Sequence, residues 1–267
     1  MSLDPAPYQA QSSPNKRKRL ISDFFASKRQ SPGTLKATSE PLPLVTPAVP
    51  GLTVLREFVS KDEEEQLLDF LNDPAKCTWR TDLKRRCMHF GGTFCLLPKK
   101  KAAPSSDHAA SPGEHETRSN KPQVLQAPPM PFELSWLLDR FVAKGVFGAD
   151  QIPQYCIVNE YLDDQGISAH VENFSFGEPV VGLSLLSPVY LRFHELKKED
   201  GGSVRSGKAA RAEKTGRVKD VHLEGRSLCV MRGESRWKWQ HEILRTKKGR
   251  DLGWKRVSLT FRWKKGG

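Results

Sequence analysis

The C-terminal part of the chain is a succession of short apolar runs, and this pattern constrains the fold more than any other feature. From Gln154 onward, turn residues separate the runs YCIVNEY, VVGLSLLS, PVYLRFHEL, RSLCVMRG, WQHEIL and RVSLTFRW. Runs of this length that are rich in β-branched and aromatic residues are typical of strands. Many such strands in series indicate a sandwich or a jelly roll. The sequence therefore predicts a β-rich core for this part of the chain.

Helical patterns precede the strands. Ser60 and Glu63 have the spacing of a capping box at the start of a helix, and a second helical pattern lies within residues 131–147. The apolar residues at helical spacing are predicted to face inward: Leu67, Leu68 and Leu71 in the first helix, and Trp136, Leu137, Phe141 and Val142 in the second. The order of elements is therefore helices first and a β-rich domain after them.

Three polar segments interrupt this organisation. Residues 1–48 are rich in Pro, Ser, Gln and Lys, so we predict a disordered basic tail there. Residues 98–128 form a polar, low-complexity insertion, and residues 197–222 form a basic loop that contains glycine. We expect both insertions to be flexible. The predicted domains are thus a tail over residues 1–48 and a folded domain over residues 49–267.

The net charge of +12 concentrates in the N-terminal tail, in residues 197–220 and in residues 245–265. Clustered positive charge favours polyanions such as nucleic acid, although a gain in solubility is an alternative reason for it. No apolar run has the length of about 18 to 20 residues that a membrane span needs, so no membrane partner is expected. The five cysteines lack any C-x-x-C spacing, and we interpret them as reduced thiols of an intracellular protein.

His170 and Glu172 are the first candidates for chemistry. Residues i and i+2 of a strand point to one face, so this pair could bind one cation from a strand end. A third ligand would have to come from another strand, and His241, His194 and His89 are available. Two histidines and a carboxylate are the ligand set of a non-haem Fe(II) oxygenase. The spacing alone is also compatible with two surface residues that alternate by chance.

Arg256 and Arg262 are the second candidates. They lie six positions apart in the last strand and therefore share a face, opposite Val257, Leu259 and Phe261. Two inward arginines would need anions, and a dicarboxylate co-substrate would supply them. The alternative is a basic strand that lies in solvent.

These pieces occur in an order, N-x-Y, H-x-E, W-Q-H and R-x5-R, that resembles the AlkB family of Fe(II)/2-oxoglutarate dioxygenases. The resemblance runs from about Gly51 to Trp263 and is strongest from Asn159 onward. It implies an α+β fold, with a double-stranded β-helix (jelly roll) core and N-terminal helices packed on it. It also implies Fe(II), 2-oxoglutarate and O2 as cofactor and co-substrates.

The resemblance assigns roles residue by residue. It implies metal ligands at His170, Glu172 and His241, 2-oxoglutarate contacts at Asn159, Tyr161, Arg256 and Arg262, and a substrate lid that includes Arg86, His89 and Phe90. The family has aspartate where this chain has Glu172, which is one methylene longer. The substitution is compatible with iron because other enzymes of the wider superfamily use H-x-E, but it puts the rate in question.

The N-terminal segment KRLISDFF resembles the peptide that binds the sliding clamp PCNA, with anchors at Ile21, Phe24 and Phe25 and Lys18 where glutamine is usual. The basic run at residues 16–19 predicts nuclear localisation. Together these features predict a monomeric demethylase that repairs alkylated DNA bases such as 1-methyladenine and 3-methylcytosine. The alternatives are an AlkB-like oxygenase acting on RNA or protein, and a non-catalytic nucleic-acid-binding module associated with the clamp.

Overall fold

The computed structural model describes residues 44–45, 47–96, 123–198 and 212–264 of the chain. All of them belong to one unit, Pro41–Gly267. The predicted tail anchors at Ile21, Phe24 and Phe25 and the basic run at residues 16–19 lie outside the described residues. Among the helices that are described, none has the length and apolar character of a membrane span.

Seven strands of the described region form the larger sheet, in the spatial order β1-β2-β11-β8-β13-β6-β3. Their bounds are β1 (Leu44–Val45), β2 (Leu52–Leu55), β3 (Cys87–Phe90), β6 (Tyr155–Leu162), β8 (Val180–Leu186), β11 (Leu228–Met231) and β13 (Lys255–Arg262). All of its neighbouring strands pair antiparallel. The last strand, β13, is an interior strand between β8 and β6, and most of its side chains are buried on both faces.

A smaller, four-stranded sheet has the order β10-β9-β12-β7, and a separate hairpin pairs two further strands. The smaller sheet consists of β7 (Ile167–His170), β9 (Val189–Leu196), β10 (Lys214–Leu223) and β12 (Trp239–Ile243), and the hairpin of β4 (Thr93–Leu96) and β5 (Gln123–Gln126). Apolar side chains from the two larger sheets pack together, among them Val180 and Met231 from one and Phe193 and Trp239 from the other. The core is therefore the predicted jelly roll.

Three α-helices accompany the sheets in the described region: α1 (Lys61–Asn72), α2 (Ser135–Ala143), which follows a 3-10 turn at Phe132–Leu134, and the short α3 (Gly233–Trp237). The capping box is confirmed, because the Ser60 hydroxyl accepts from the Glu63 amide at 3.2 Å and the Glu63 carboxylate accepts from the Ser60 amide at 2.8 Å. Leu67 and Phe141 are buried against the outer face of the larger sheet.

The buried stripes of α1 and α2 are narrower than predicted. Leu67 and Leu71 of α1 and Leu137 and Phe141 of α2 are buried, whereas Leu68, Trp136 and Val142 are only partly buried. Phe70 of α1 is buried although the sequence analysis did not select it. Helical spacing identifies the inward side of a helix, but the packing of the partner elements decides how wide a strip is covered.

The boundaries of the predicted polar segments need correction. Residues Leu44–Val45 pair with β2, so a strand lies inside the segment predicted as a tail. The expected loop at residues 197–222 ends earlier, because Lys214–Leu223 forms β10 against β9. The predicted insertion at residues 98–128 likewise contains β5. β10 is an edge strand, and most of its side chains are exposed and polar. Apolar alternation therefore did not reveal it.

Candidate metal centre and its cavity

Three potential metal ligands converge at one end of the space between the two sheets. His170 is the last residue of β7 and Glu172 follows it, while His241 lies on β12 directly opposite His170 in the antiparallel register. Both histidine Nε2 atoms are 3.7 Å from Glu172 Oε1. One ligand atom from each residue lies within 4.8 Å of the other two. The register of β7 and β12 therefore selects His241 from the histidines that the sequence offered.

Each histidine turns one ring nitrogen towards the cluster. His170 Nδ1 lies 2.8 Å from the Ser168 carbonyl oxygen. That oxygen can only accept, so Nδ1 carries the hydrogen and Nε2 keeps its lone pair towards the cluster. His241 is buried, and burial together with the neighbouring His170 lowers the pKa of His241 to about 4. The His241 ring can therefore offer a neutral nitrogen to a cation at neutral pH, and Nε2 is the His170 nitrogen that faces the same cluster.

Glu172 is held as a carboxylate by its neighbours. Its side chain is 7% exposed, and Oε2 accepts a hydrogen bond from Arg262 Nε at 2.6 Å. Burial by itself would raise the pKa of Glu172, but the Arg262 guanidinium and the two histidines hold that pKa well below its usual range. Oε1 remains free to face the histidines. Two imidazole nitrogens and one carboxylate oxygen on a β scaffold fit a non-haem Fe(II) ion with open coordination positions.

Arg256 lines the same cavity as the three potential ligands. The residue is 4% exposed, and its Nη2 donates to Ser184 Oγ at 2.8 Å. Its Nε has no hydrogen-bond partner, and no carboxylate within the described part of the chain forms an ion pair with it. A buried guanidinium that lacks an acidic partner is the feature expected of a binding site for an anion.

Asn159 and Tyr161 project from β6 into this cavity. Arg85 Nε donates to Asn159 Oδ1 at 2.8 Å, and the Arg85 guanidinium lies 5.8 Å from the centre of the Tyr161 ring. The Arg256 guanidinium lies 5.5 Å from the centre of the same ring. Arg85 is therefore a residue of the site that the sequence analysis missed. The sequence signal for Arg85 was its position next to Arg86. Side chains of adjacent residues in an extended segment point to opposite faces, so one of the two arginines can face the cavity.

Two of the three predicted lid residues, Arg86 and Phe90, make contacts away from the cavity. Arg86 makes a bidentate ion pair with Glu160, at 2.5 and 2.7 Å, and its guanidinium lies 4.2 Å from the centre of the Trp79 ring. Phe90 packs in the core between the larger sheet and the helices. Neither residue lines the cavity, because pairing with β6 turns alternate side chains of β3 towards the helices.

His89 precedes Phe90 on β3. Because successive side chains of a strand point to opposite faces, His89 points to the cavity face of the sheet and Phe90 to the helices. His89 is partly buried there. Burial, together with the cations Arg80 and Arg262, lowers the pKa of His89 to about 4. The effect of Arg262 agrees with a position close to the metal-ligand cluster.

A jelly roll whose interior presents two histidines and a carboxylate opposite a buried arginine defines the class of non-haem iron oxygenases. The sequence profile of the 2OG-Fe(II) oxygenase superfamily matches residues 51–262. The chain belongs to this superfamily. Its members use Fe(II), 2-oxoglutarate and O2, as the resemblance to AlkB proteins implied.

AlkB homologues are among the relatives of the chain. It is 31% identical over 201 residues to the tRNA (carboxymethyluridine(34)-5-O)-methyltransferase ALKBH8 of Macaca fascicularis, a match that covers 73% of this chain and 24% of that protein. It is 29% identical over 209 residues to the alkylated DNA repair protein ALKBH8 homolog of Arabidopsis thaliana, covering 73% of this chain and 51% of that protein. The chain thus spans between a quarter and a half of the length of these relatives. The solved structure of OsALKBH1 is 19% identical, with a TM-score of 0.48 over 84% of this chain and 100% of that one.

Proposed function

We propose that the protein is an Fe(II)/2-oxoglutarate-dependent demethylase of N-methylated nucleic-acid bases, with 1-methyladenine and 3-methylcytosine in DNA as its substrates. The observation that carries this proposal is the placement of the His170, Glu172 and His241 cluster opposite the buried Arg256 in one cavity. The three clustered residues would hold the iron. Arg256 would bind a carboxylate of the co-substrate.

Residues of the larger sheet supply the remaining binding groups. Arg256 offers an unpaired Nε and would bind the distal carboxylate of 2-oxoglutarate, with Tyr161 against its guanidinium. Asn159, held by Arg85, presents its amide to the co-substrate. Arg262 would hold the Glu172 carboxylate and add positive charge near the carboxylate of 2-oxoglutarate at the metal.

Bound iron would supply the oxidising chemistry, in which 2-oxoglutarate and O2 become succinate and CO2 while one oxygen atom enters a methyl C–H bond. The resulting hydroxymethyl group on nitrogen leaves as formaldehyde and restores the base. The protein residues orient the reactants in this scheme and keep the cavity small. A methylated base in a duplex would have to leave the stack to reach the cavity, at a lower cost when the lesion has already weakened pairing.

Charge and relatives support nucleic acid as the substrate class. The chain carries a net charge of +12, which favours contacts with phosphates. The Arabidopsis relative is a homolog of an alkylated DNA repair protein, and the macaque relative is a tRNA methyltransferase. The macaque relative makes RNA the second candidate substrate. Nuclear localisation through residues 16–19 also belongs to this proposal.

The decisive experiment is turnover on matched DNA and RNA oligonucleotides that carry 1-methyladenine or 3-methylcytosine. The reaction contains Fe(II), 2-oxoglutarate and ascorbate, and mass spectrometry follows the methylated base while a coupled assay follows succinate. His170→Ala should abolish both signals. His194→Ala is the matched control, because His194 pairs with Glu242 at 2.7 Å outside the metal cluster and its loss should leave turnover intact.

Each outcome of this assay has a distinct meaning. Demethylation of DNA that His170→Ala removes supports the proposal, and demethylation of RNA alone transfers it to the second candidate. Succinate without demethylation supports an oxygenase with another substrate, such as a protein side chain. Folded, iron-loaded protein that yields neither product supports the non-catalytic binding module.

Clamp binding forms a separate part of the proposal. The segment with Ile21, Phe24 and Phe25 would dock into PCNA through its apolar side chains. Titration of PCNA with the full chain and with Phe24→Ala/Phe25→Ala measures this interaction. Equal affinity of the two proteins would refute the clamp assignment without affecting the assignment of the metal centre.

A further inference from the structure

Arg236 is a buried arginine whose hydrogen bonds converge on the segment that contains Glu172. It lies in α3 and is 1% exposed. Its guanidinium donates to the backbone carbonyl oxygens of Glu172 at 3.0 Å, Asn173 at 2.6 Å and Phe176 at 3.0 Å, and Nε reaches that of Gly177 at 3.5 Å. We call residues 172–178 the carboxylate loop. One side chain thus binds four of its carbonyl groups.

A second set of contacts ties the far end of the carboxylate loop to the same helix. Glu178 Oε2 accepts from the Gly233 amide at 2.6 Å and from Trp237 Nε1 at 3.1 Å. The Arg236 guanidinium lies 3.9 Å from the centre of the Trp237 ring. All of these hydrogen bonds run from α3 to the loop: the Arg236 guanidinium donates to loop carbonyl groups, and the Glu178 carboxylate accepts from two N–H groups of the helix.

The position of α3 in the chain gives these contacts their significance. The helix ends at Trp237 and β12 begins at Trp239, so the element that holds the carboxylate loop leads directly into the strand that carries His241. The Glu172 carbonyl that Arg236 binds belongs to the backbone of the candidate ligand itself. A movement of that backbone would displace the Glu172 carboxylate from the two imidazoles.

We propose that Arg236 is a positioning residue that holds the carboxylate loop and the His241 strand in the relative arrangement that binds the metal. This inference rests on the proposed function, since it takes His170, Glu172 and His241 as the metal ligands. The physical basis is that a buried guanidinium must be compensated, and four carbonyl dipoles of one loop do so only when the loop has this conformation.

Cobalt(II) titration of the purified full chain tests the inference without turnover. We expect Arg236→Gln to weaken Co(II) binding about 10- to 100-fold, the range typical when a residue that orients metal ligands is lost. Arg236→Lys keeps the charge and part of the hydrogen bonding, so its loss should be smaller. The visible absorption of bound Co(II) should change in Arg236→Gln, because the carboxylate no longer has one fixed position.

Arg140→Gln is the matched control. Arg140 is a partly buried arginine that lies away from the metal cluster. It pairs bidentately with Glu63 at 2.6 and 2.8 Å and, like Arg236, donates to a backbone carbonyl, that of Phe58 at 3.0 Å. Its loss should lower the melting temperature and leave both the Co(II) affinity and the spectrum unchanged. A general loss of stability is thereby separated from a loss of ligand positioning.

The outcomes distinguish this inference from the proposed function. A wild-type chain that binds no Co(II) would refute the metal assignment itself. A wild-type chain that binds Co(II), with Arg236→Gln at the same affinity and spectrum, would overturn the positioning role alone. If Arg236→Gln does not fold, Arg236→Lys decides: weaker binding supports the role, and unchanged binding refutes it.

Discussion

Replacement of Arg256 by methionine should stabilise the protein in the absence of co-substrate and remove most of its stabilisation by 2-oxoglutarate. Arg256 is 4% exposed and makes one side-chain hydrogen bond, to Ser184, while its Nε has no partner among the described residues. Burial lowers the pKa of Arg256, which reflects the cost of placing its charge there. Methionine has a similar length, so it removes the charge without leaving a large void.

The expected magnitudes follow from this environment. Replacing a buried charge by an apolar residue of similar size is often neutral or stabilising by about 1–4 kcal/mol, and loss of the Ser184 bond offsets part of that gain. A net gain of about 1 kcal/mol raises the melting temperature of a domain of this size by roughly 2–4 °C. At 100 times its Kd, 2-oxoglutarate stabilises the wild type by about 2.7 kcal/mol. A lost charge-assisted pair of about 3 kcal/mol would cut that gain to about 0.3 kcal/mol.

Thermal melts with Mn(II), in the presence and absence of 2-oxoglutarate, measure both effects. The wild type should gain roughly 5–10 °C from the co-substrate and Arg256→Met about 1 °C. Arg192→Met is the control, because Arg192 pairs with Asp220 at 2.7 Å away from the cavity and should keep the full response. A variant that melts several degrees below the ligand-free wild type, or that retains the full response to 2-oxoglutarate, would refute the reasoning.

Three other outcomes are expected. Arg86→Gln should lose about 2 kcal/mol of stability in urea unfolding, because the Glu160 carboxylate, which is 4% exposed, loses its bidentate partner. A rise in the KM for 2-oxoglutarate in this variant would contradict the assignment of Arg86 to stability alone. Arg85→Gln should instead raise that KM about 5-fold, since Asn159 loses its 2.8 Å donor, with stability near that of the wild type. Glu63→Gln should cost about 1–2 kcal/mol at pH 7. The hydrogen bond from Arg140 lowers the folded-state pKa of Glu63 below 4.5, so this difference is present above that pH and should vanish in unfolding curves as the pH falls through the lowered pKa.

The strand pattern and the ligand motifs were readable from the sequence because both depend on local spacing. Alternation along β13 correctly separated Arg256 and Arg262 from Val257, Leu259 and Phe261, all of which are buried on their respective faces. The capping box of α1 was equally readable, since its donors and acceptors lie three residues apart. β10 was missed because an edge strand with a largely exposed surface has no apolar alternation.

By itself, the sequence determined the class of fold, the helix start at Ser60 and the identity of the candidate ligands, since period and motif are properties of neighbouring residues. Only the tertiary structure decided which side chains meet. The register of β12 against β7 places His241 opposite His170. The pairing of β3 with β6 brings Arg85 to Asn159 and Arg86 to Glu160. The contacts of Arg236 with the carboxylate loop join residues about sixty positions apart. Such contacts depend on sheet order and strand register, which the packing of the whole domain selects and no local pattern encodes.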